Sequence, residues 1–281
     1  MPIYIYKGNS QVSTNAIRNN KAVKTIYAKE QGQDAVCVWG TDFTSSLFTY
    51  TITTQNNSVT ITGLNPNNQF SGNLSIPNKI KGKPVTRIDD QAFRNCTGLT
   101  SITIGNSVIG IGKEAFWSCT GLTSITIGNG VTGIGNWAFK SCIRLTTVNW
   151  NATECVSAGT LDYPIFNGCS NLATVNIGDS VKLISSSAFC GCATLKSITI
   201  PDSVTSIGYQ AFRNCTGLAS VTIGNSVTSI GERAFSRCTE LTSITFNGTK
   251  AQWNAITKGG NWNDNTGNYT IHCTDGDISK S

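Results

Sequence analysis

The feature of this chain that most constrains its fold is a repeat in which a phenylalanine is followed three residues later by a cysteine. The repeat occurs seven times, at Phe93/Cys96, Phe116/Cys119, Phe139/Cys142, Phe166/Cys169, Phe189/Cys192, Phe212/Cys215 and Phe235/Cys238. The spacing is constant except for one longer step between Phe139 and Phe166. A fixed period of roughly 20 to 50 residues indicates a solenoid, because one short coil cannot bury its apolar side chains alone and stacked coils can.

The apolar positions inside one repeat show what the stacked coils bury. The copy from Cys215 to Phe235 reads C-x-x-L-x-x-V-x-I-x-x-x-V-x-x-I-x-x-x-A-F. Strict periodicity of this kind is not needed by a disordered chain, although only 13% of the residues are charged. We therefore predict a β-rich solenoid with a parallel β-sheet on one face, in which the repeated phenylalanines and cysteines are structural core.

Seven of the eleven cysteines occupy the same repeat position and should stack in register inside the coil. Adjacent rungs lie about 4.8 Å apart, which exceeds the Cβ separation of about 3.8 Å that a disulfide favours. We therefore expect these thiols to be reduced and buried, where they act as small apolar groups. Cys37, Cys155, Cys190 and Cys273 lie outside this ladder, and their pairing is left open.

The residues before the repeats form two segments with different patterns. Residues 1–40 contain three short apolar runs separated by turn-forming residues, which predicts a small N-terminal β module. Residues 41–73 contain two alternating runs, Phe48–Thr53 and Val59–Thr62, which predict a β-hairpin. We expect this hairpin to cap the first coil, because an uncapped coil would expose its core and strand edges.

The solenoid is assigned to residues 74–246 and a C-terminal cap to residues 247–281. Two insertions, Lys79–Lys83 and Asn151–Tyr163, interrupt the repeats and are expected to form loops. The C-terminal segment begins with helix-like spacing and ends with a strand-like run at Tyr269–Cys273. A short helix and a last strand are therefore predicted to close the open end of the solenoid.

Charge and hydropathy exclude two classes of interaction. The net charge of +6 comes from 21 basic and 15 acidic residues without any run of Lys and Arg, whereas nucleic-acid-binding proteins usually show a clustered basic stripe. We predict no nucleic-acid partner. No apolar run is long enough to span a membrane and the first residues do not read as a Sec signal, so no membrane span or export signal is predicted. The cellular location is left open.

The repeat resembles that of the BspA-like, Treponema-type leucine-rich repeat family. The resemblance is clearest from Leu195 to Phe212, which reads L-K-S-I-T-I-P-D-S-V-T-S-I-G-Y-Q-A-F, and it covers about residues 74–246. It implies a curved leucine-rich-repeat solenoid that is used for surface adhesion or protein recognition. Residues 1–40 are instead similar to short modules of phage and prophage structural proteins, which implies docking to a larger assembly.

Residues capable of chemistry are few and scattered. His272 is the only histidine, so a triad or a metal site based on several histidines lacks its partners within one chain. Cys190 and Cys192 are separated by one residue rather than the two of a redox or zinc motif. The close carboxylate pairs, Asp89/Asp90 and Asp275/Asp277, are interpreted as solvated. We predict no catalytic, cofactor or metal site; an enzyme would need a site formed between chains.

Two faces of the repeat are candidates for binding. The strand face presents rows of Ser and Thr, including Ser124, Thr126, Ser220 and Thr222, which suit either a solvated sheet or a hydroxyl array for a glycan. The turn on either side of each Ala-Phe pair varies between coils and carries large side chains that are typical interface anchors. The candidate ligand-binding residues of this turn are Trp117, Trp137, Tyr209, Arg213, Arg94 and Arg233.

The leading hypothesis is a non-enzymatic recognition or adhesion protein that binds a protein or a glycan through its solenoid. The alternative is a phage or prophage virion component that docks on an assembly through residues 1–40 while the repeats face outward.

Overall fold

The computed structural model describes residues 47–66 and 70–280 with their side chains, and the backbone of four short strands before them. In chain order the strands are β1 Tyr4–Lys7, β2 Ser10–Gln11, β3 Tyr27–Lys29, β4 Val36–Cys37, β5 Phe48–Thr53, β6 Ser58–Leu64, β7 Gly72–Ser75, β8 Lys79–Ile80, β9 Lys83–Ile88, β10 Leu99–Thr103, β11 Gly110–Ile111, β12 Ser124–Ile127, β13 Gly133–Ile134, β14 Thr147–Trp150, β15 Ser157–Ala158, β16 Thr174–Ile177, β17 Leu183–Ile184, β18 Ser197–Ile200, β19 Ser206–Ile207, β20 Ser220–Ile223, β21 Ser229–Ile230, β22 Ser243–Phe246, β23 Thr257–Lys258, β24 Thr270–Cys273 and β25 Gly276–Ser279. Strands β1 to β4 form an antiparallel sheet in the order β2-β1-β3-β4. The rest of residues 1–40 lies outside the described residues, so the separate N-terminal module stays a prediction.

The front face of the solenoid is built from the L-x-x-I-x-I half of each repeat. Strands β7, β10, β12, β14 and β16 form one sheet of parallel strands, and β18, β20, β22 and β24 form a second. Ser101 lies opposite Ser124, and Ser124 lies opposite Thr147. Because the register advances by one repeat per strand, equivalent side chains form straight rows across the sheet.

A second parallel sheet, on the back face, was not predicted from the sequence. The last two of the V-x-x-I positions form a strand of only two residues in the coils after the first, whose strand β9 is longer. Strands β9, β11, β13 and β15 pair in parallel, as do β17, β19, β21 and β23. Ile111 pairs with Ile134 and Ile184 with Ile207, so the inward isoleucines are in register. The strands are too short to show a period of two in the sequence.

The sequence had predicted that both insertions form loops, but each contains a short strand. Within the first, Lys79 and Ile80 form β8, which pairs antiparallel with the start of β9. Within the second, Ser157 and Ala158 form β15, which extends the back sheet beside β13. Both insertions are therefore tied to the sheets by backbone hydrogen bonds, because each runs along a strand edge that is free to accept a partner.

The third side of each coil, which we call the turn edge, holds the segments 91–95, 113–118, 136–141, 163–168, 186–191, 209–214 and 232–237. Its backbone also forms a ladder between coils: the Phe93 N–H donates to the Ala115 carbonyl, and the Phe116 N–H donates to the Ala138 carbonyl, each at 2.7 Å. The coils are therefore hydrogen-bonded to each other on all three sides.

The core consists of the repeated phenylalanine and cysteine side chains. All seven phenylalanines are buried, and neighbouring rings stack with centroid distances of 5.0 to 6.1 Å. The cysteine thiols reach back to the preceding coil, as in the bond from Cys119 Sγ to the Phe93 carbonyl at 3.1 Å. All ten cysteines whose side chains are described are free thiols. Six of the seven ladder cysteines are buried, and Cys96, in the first coil, is half-buried.

The ladders are interrupted at one place, which we call the seam, in the coil that ends at Phe189. Strand β16 of this coil pairs with β14 of the preceding coil, whereas β17 pairs with β19 of the following coil. Trp150 occupies a buried position that is isoleucine in most repeats, and its ring packs against Phe189 at 5.2 Å. The Phe166 and Phe189 rings are 6.1 Å apart, the widest step of the column. The longer fourth coil and the large indole displace the registers, so front and back pairing change partners inside one coil.

Both ends of the solenoid are capped. At the N-terminal end, β5 and β6 form the predicted antiparallel hairpin, and Phe48 lies edge-on to Phe93 at 6.3 Å. At the C-terminal end, the predicted helix is α1 Lys250–Ala255, whose capping box joins Thr249 and Gln252. No helix in the described part of the chain is long and apolar enough to cross a membrane. An unpredicted strand, β25, pairs antiparallel with β24, so Asp275 lies in the hairpin turn and Asp277 lies in β25, opposite His272.

Candidate functional site

The predicted anchor residues fall into two groups on the turn edge, separated by the seam. Arg94, Trp117 and Trp137 come from three successive coils and lie in contact with one another. Tyr209, Arg213 and Arg233 lie in the later coils. The two groups are built differently, and the first forms an organised cluster of large side chains.

We call the first group, completed by Lys140 and Tyr163, the aromatic–cation stack. The Arg94 guanidinium lies 4.1 Å from the centre of the Trp117 ring, and Lys140 Nζ lies 4.6 Å from the same ring and 4.1 Å from that of Trp137. The Trp117 and Trp137 rings are 5.9 Å apart, and Tyr163 lies edge-on to Trp137 at 4.8 Å. Cation–π contacts are worth about 0.5 to 2 kcal/mol each, depending on how dry they are. These contacts hold five side chains from four coils as one surface.

A buried carboxylate fixes one end of the stack. The Glu114 side chain is 6% exposed. Its Oε2 accepts hydrogen bonds from Arg94 Nη1 and Gln91 Nε2, each at 3.1 Å, and its Oε1 lies 3.3 Å from Lys113 Nζ. A buried charge is stable only when it is paired and hydrogen-bonded, and three donors supply this. Glu114 therefore orients Arg94 above the Trp117 ring.

The backbone of the turn edge adopts an uncommon conformation at Trp137 and at the equivalent position of other coils. Glu114, Trp137, Gln210 and Arg233 have φ angles of 55 to 57°. Non-glycine residues seldom adopt this left-handed conformation, which costs about 1 to 2 kcal/mol. None of the four is glycine or asparagine, the residues that adopt it most easily. Backbone preference therefore does not explain which residue types occur at these positions.

The sequence places the anchors at surface positions of the turn, and the structure gives them different degrees of exposure. Trp117, Trp137, Arg213 and Arg233 are half-buried, while Arg94 and Tyr209 are exposed. The neighbouring turn-edge residues Glu114, Ser187, Gln210 and Cys190 are buried. Trp137 and Arg233 adopt the left-handed conformation themselves, whereas Trp117 and Arg213 directly precede the left-handed residues Ser118 and Asn214.

The second group lacks an aromatic stack. Tyr209 is 42% exposed, and its hydroxyl accepts a hydrogen bond from Gln210 Nε2 at 2.9 Å. Arg213 Nε and Gln210 Oε1 are buried without a partner in the described part of the chain. Arg233 Nε lies 3.5 Å from Glu232 Oε1.

Burial raises the pKa of the Cys190 thiol to about 11, and the nearby Arg213 only partly offsets this effect. The thiol is therefore protonated and unreactive near neutral pH.

The strand-face candidates form rows, as the sequence predicted. Ser124 and Thr126 belong to the first front sheet, and Ser220 and Thr222 to the second. Thr126 Oγ1 accepts a hydrogen bond from Asn149 Nδ2 at 3.1 Å, whereas the other three hydroxyls bond to no described residue. The seam divides these rows, so no hydroxyl row runs unbroken along the whole solenoid.

The remaining chemical candidates have structural partners. His272 Nδ1 lies 2.9 Å from Asp277 Oδ1 across the last hairpin. Asp89 and Asp90 both contact Arg87, at 3.7 and 3.4 Å. Within the described residues, no group of three or more His, Cys, Asp or Glu side chains is placed to hold a metal ion.

Sequence reasoning missed the residues that complete the stack. Lys140 and Tyr163 occupy the variable slots of the turn but were not singled out, and Glu114 was not recognised as a buried anchor. A usable signal was present, since Trp137 and Lys140 each follow Trp117 by about one repeat period. Side chains at equivalent positions of neighbouring coils are in contact in a solenoid.

The chain is similar to known bacterial repeat proteins. A family described as "BspA type Leucine rich repeat region" matches it at residues 65–161 and 159–258, in six copies. No curated protein matches the chain.

Several solved structures are also similar. A leucine-rich-repeat protein of T. pallidum is 25% identical, with 76% of this chain and 83% of that chain covered and a TM-score of 0.49. A leucine-rich cell surface protein of Faecalibacterium prausnitzii is 26% identical, with 76% and 71% covered and a TM-score of 0.39. A leucine-rich-repeat protein of Bacteroides ovatus is 25% identical, with 78% and 67% covered and a TM-score of 0.40.

Proposed function

Because the chain belongs to the BspA-type leucine-rich-repeat family, whose members are typically surface proteins that mediate protein interactions, we propose that it recognises an acidic protein surface through the aromatic–cation stack. The observation that carries this proposal is the stack itself. Five side chains from four coils are held together by cation–π contacts and a buried carboxylate. Half-buried aromatic and arginine side chains on a rigid scaffold are the usual energetic anchors of protein interfaces.

Charge favours an acidic partner. Residues 74–145 carry eight Lys and Arg against three Asp and Glu, a net charge of +5, which is most of the +6 of the whole chain. On the turn edge of these coils, Arg94 and Lys113 are exposed, whereas the carboxylate of Glu114 is buried beneath them. Complementary charge speeds association and selects partners, and salt weakens both effects.

The alternative of a virion component depends on residues 1–40, most of which lie outside the described part of the chain. None of the similar structures reported above is a phage protein. The strand face is the second candidate surface, but its hydroxyl rows are uncharged and divided by the seam. Within the described residues, the strand face has no organised cluster of large side chains to support it.

The proposal predicts that replacing Trp137 with asparagine weakens binding far more than it weakens the fold. Asparagine tolerates the left-handed φ of 56° at this position, which offsets part of the lost packing. We expect the free energy of unfolding to change by about 1 kcal/mol or less. The affinity for a short peptide that alternates glutamate and tyrosine should fall by about 30-fold, or 2 kcal/mol, as measured by calorimetry at low salt.

Three controls accompany this measurement. A peptide with lysine in place of glutamate should not bind. Tyr209→Ala removes an aromatic side chain from the second group, and Ser124→Tyr blocks the strand face without adding charge; both should leave the affinity unchanged. If Tyr209→Ala or Ser124→Tyr abolishes binding while Trp137→Asn does not, the recognition surface is elsewhere and the proposal fails.

A further inference from the structure

The C-terminal end of the phenylalanine column leaves a pocket. The last phenylalanine of the column, Phe235, is covered by Trp262, whose ring lies edge-on to it at 6.2 Å. The Phe235 N–H donates to the Trp262 carbonyl at 2.7 Å, just as the Phe212 N–H donates to the Ala234 carbonyl of the next coil. Asn263 therefore stands where the next phenylalanine would be. With no further ring to fill this end, a pocket of about 270 Å³ lies against the cap.

Three aromatic side chains line this end pocket. The rings of Trp253 and Trp262 are 6.1 Å apart, and those of Trp262 and Tyr269 are 6.3 Å apart. Asn263 Nδ2 donates to the Tyr269 hydroxyl at 2.6 Å and holds that ring in place. Trp253 is only 3% exposed, and its indole N–H donates to no described residue. Lys258 Nζ lies 4.8 Å from the centre of the Trp253 ring, and Lys280 Nζ lies 5.4 Å from that of Tyr269, so the half-buried Trp262 is the aromatic side chain left to offer an apolar face.

The pocket also carries uncompensated positive charge. Lys258 and Lys280 line it, and neither forms an ion pair with a carboxylate in the described part of the chain. Lys258 Nζ donates to the Trp253 carbonyl at 2.6 Å and to the Ile256 carbonyl at 3.1 Å, which leaves one of its three N–H groups unused. Lys280 Nζ donates to the Thr266 carbonyl at 3.2 Å, to Thr266 Oγ1 at 2.9 Å and to the Gly267 carbonyl at 3.1 Å, so all three of its N–H groups are used and it offers the pocket its charge alone. Two fixed ammonium groups therefore face a pocket without an acidic lining residue.

We propose that the end pocket binds a hexuronic acid, a sugar ring that carries a carboxylate. The half-buried Trp262 ring would cover the apolar C–H face of the sugar, and the ammonium groups would attract its carboxylate. Asn254 and Ser279, which also line the pocket, supply donors and acceptors for the ring hydroxyls. A volume of about 270 Å³ lies just below the range of about 300 to 1,000 Å³ for small-molecule sites, which fits one sugar ring rather than an oligosaccharide.

The direct test is titration of the full chain with sodium glucuronate, followed by calorimetry and ligand-observed NMR at low salt. For a ligand of this size, we expect a Kd of about 1 mM. Glucose, which lacks the carboxylate, and benzoate, which lacks the hydroxyls, should each bind at least about 10-fold more weakly. The proposal is overturned if neither glucuronate nor glucose binds, or if glucuronate binds with the same affinity as glucose or benzoate.

Two variants locate the binding site. Lys280→Gln removes the charge but keeps a hydrogen-bond donor, and it should weaken glucuronate binding by about 10-fold. Ser279→Tyr places a ring at the pocket lining and should abolish binding. Lys250→Gln changes a lysine of the same cap that does not line the pocket, and it should have no effect. Unchanged affinity in a folded Lys280→Gln protein would contradict the proposal. Trp137→Asn should leave glucuronate binding intact, so this test is independent of the proposed recognition surface.

Discussion

Replacement of Phe139 with alanine is expected to lower the free energy of unfolding by about 3 to 5 kcal/mol. The ring is fully buried and stacked between Phe116, at 5.1 Å, and Phe166, at 5.5 Å. The Phe139 N–H donates to the Ile165 carbonyl at 2.9 Å, which fixes the separation of the coils on this side. Because the ladders hold the coils apart, the cavity left by the ring cannot collapse, and most of its cost remains.

Urea unfolding monitored by circular dichroism measures this effect. Tyr209→Ala is the matched control, because it removes a slightly larger aromatic side chain from an exposed position of the same solenoid. It should change stability by about 0.5 kcal/mol or less. If the midpoint of the Phe139→Ala protein equals that of the unmodified chain, the column is not the core.

The second large effect is a loss of stability in alkaline solution. Burial raises the pKa of Cys119 and of Cys238 from 9.0 to about 12. Burial raises the pKa of Cys192 and Cys215 well above 9.0 as well, and a side-chain hydrogen bond with Cys169, together with burial, does so for Cys142. In the unfolded chain these thiols ionise near pH 9, whereas in the folded chain they stay protonated. The folded state therefore holds more protons, and its stability falls as the pH rises above 9.

The expected size of this loss is about 1 kcal/mol per thiol between pH 9 and pH 10, or about 5 kcal/mol for five thiols. Stability is fully present below pH 9 and should be lost progressively as the pH rises toward 12. Urea midpoints measured at pH 7, 9 and 10 test this expectation. Cys215→Ala should reduce the slope between pH 9 and 10 by the contribution of one thiol. A stability that is constant from pH 8 to pH 10.5 would show that the thiols are not buried in the folded state.

Much of the fold could be predicted from the sequence because its causes are local and repeated. The phenylalanine and cysteine column follows directly from a fixed period, and the cap hairpin follows from its alternation at Phe48–Thr53. The back sheet could not be predicted, since two-residue strands leave no period to detect. The seam was also missed, although Trp150 in a position that is usually isoleucine was a visible departure from the pattern.

The candidate site could be predicted only in part. The turn edge was recognised as variable and rich in large side chains, and Trp117 and Trp137 were correctly assigned to neighbouring turns. Their partial burial was not predicted, because it depends on a turn backbone, left-handed at Trp137 and at Ser118, that hydropathy does not reveal. The partnership of Arg94 with Glu114 joins residues of two coils, and it becomes apparent only when the coils are stacked. The end pocket was missed for a related reason, since it arises where the stack stops.

The central claim is that recognition takes place on the turn edge of the first four coils. Hydrogen–deuterium exchange of the full chain, with and without the alternating glutamate–tyrosine peptide, tests it most directly. We predict that the peptide slows amide exchange in the turn-edge segments 91–95, 113–118 and 136–141, and that it leaves the front strands β18 and β20 unchanged. Protection confined to the front strands, or to the turn edge beyond the seam at 209–214 and 232–237, would contradict this account.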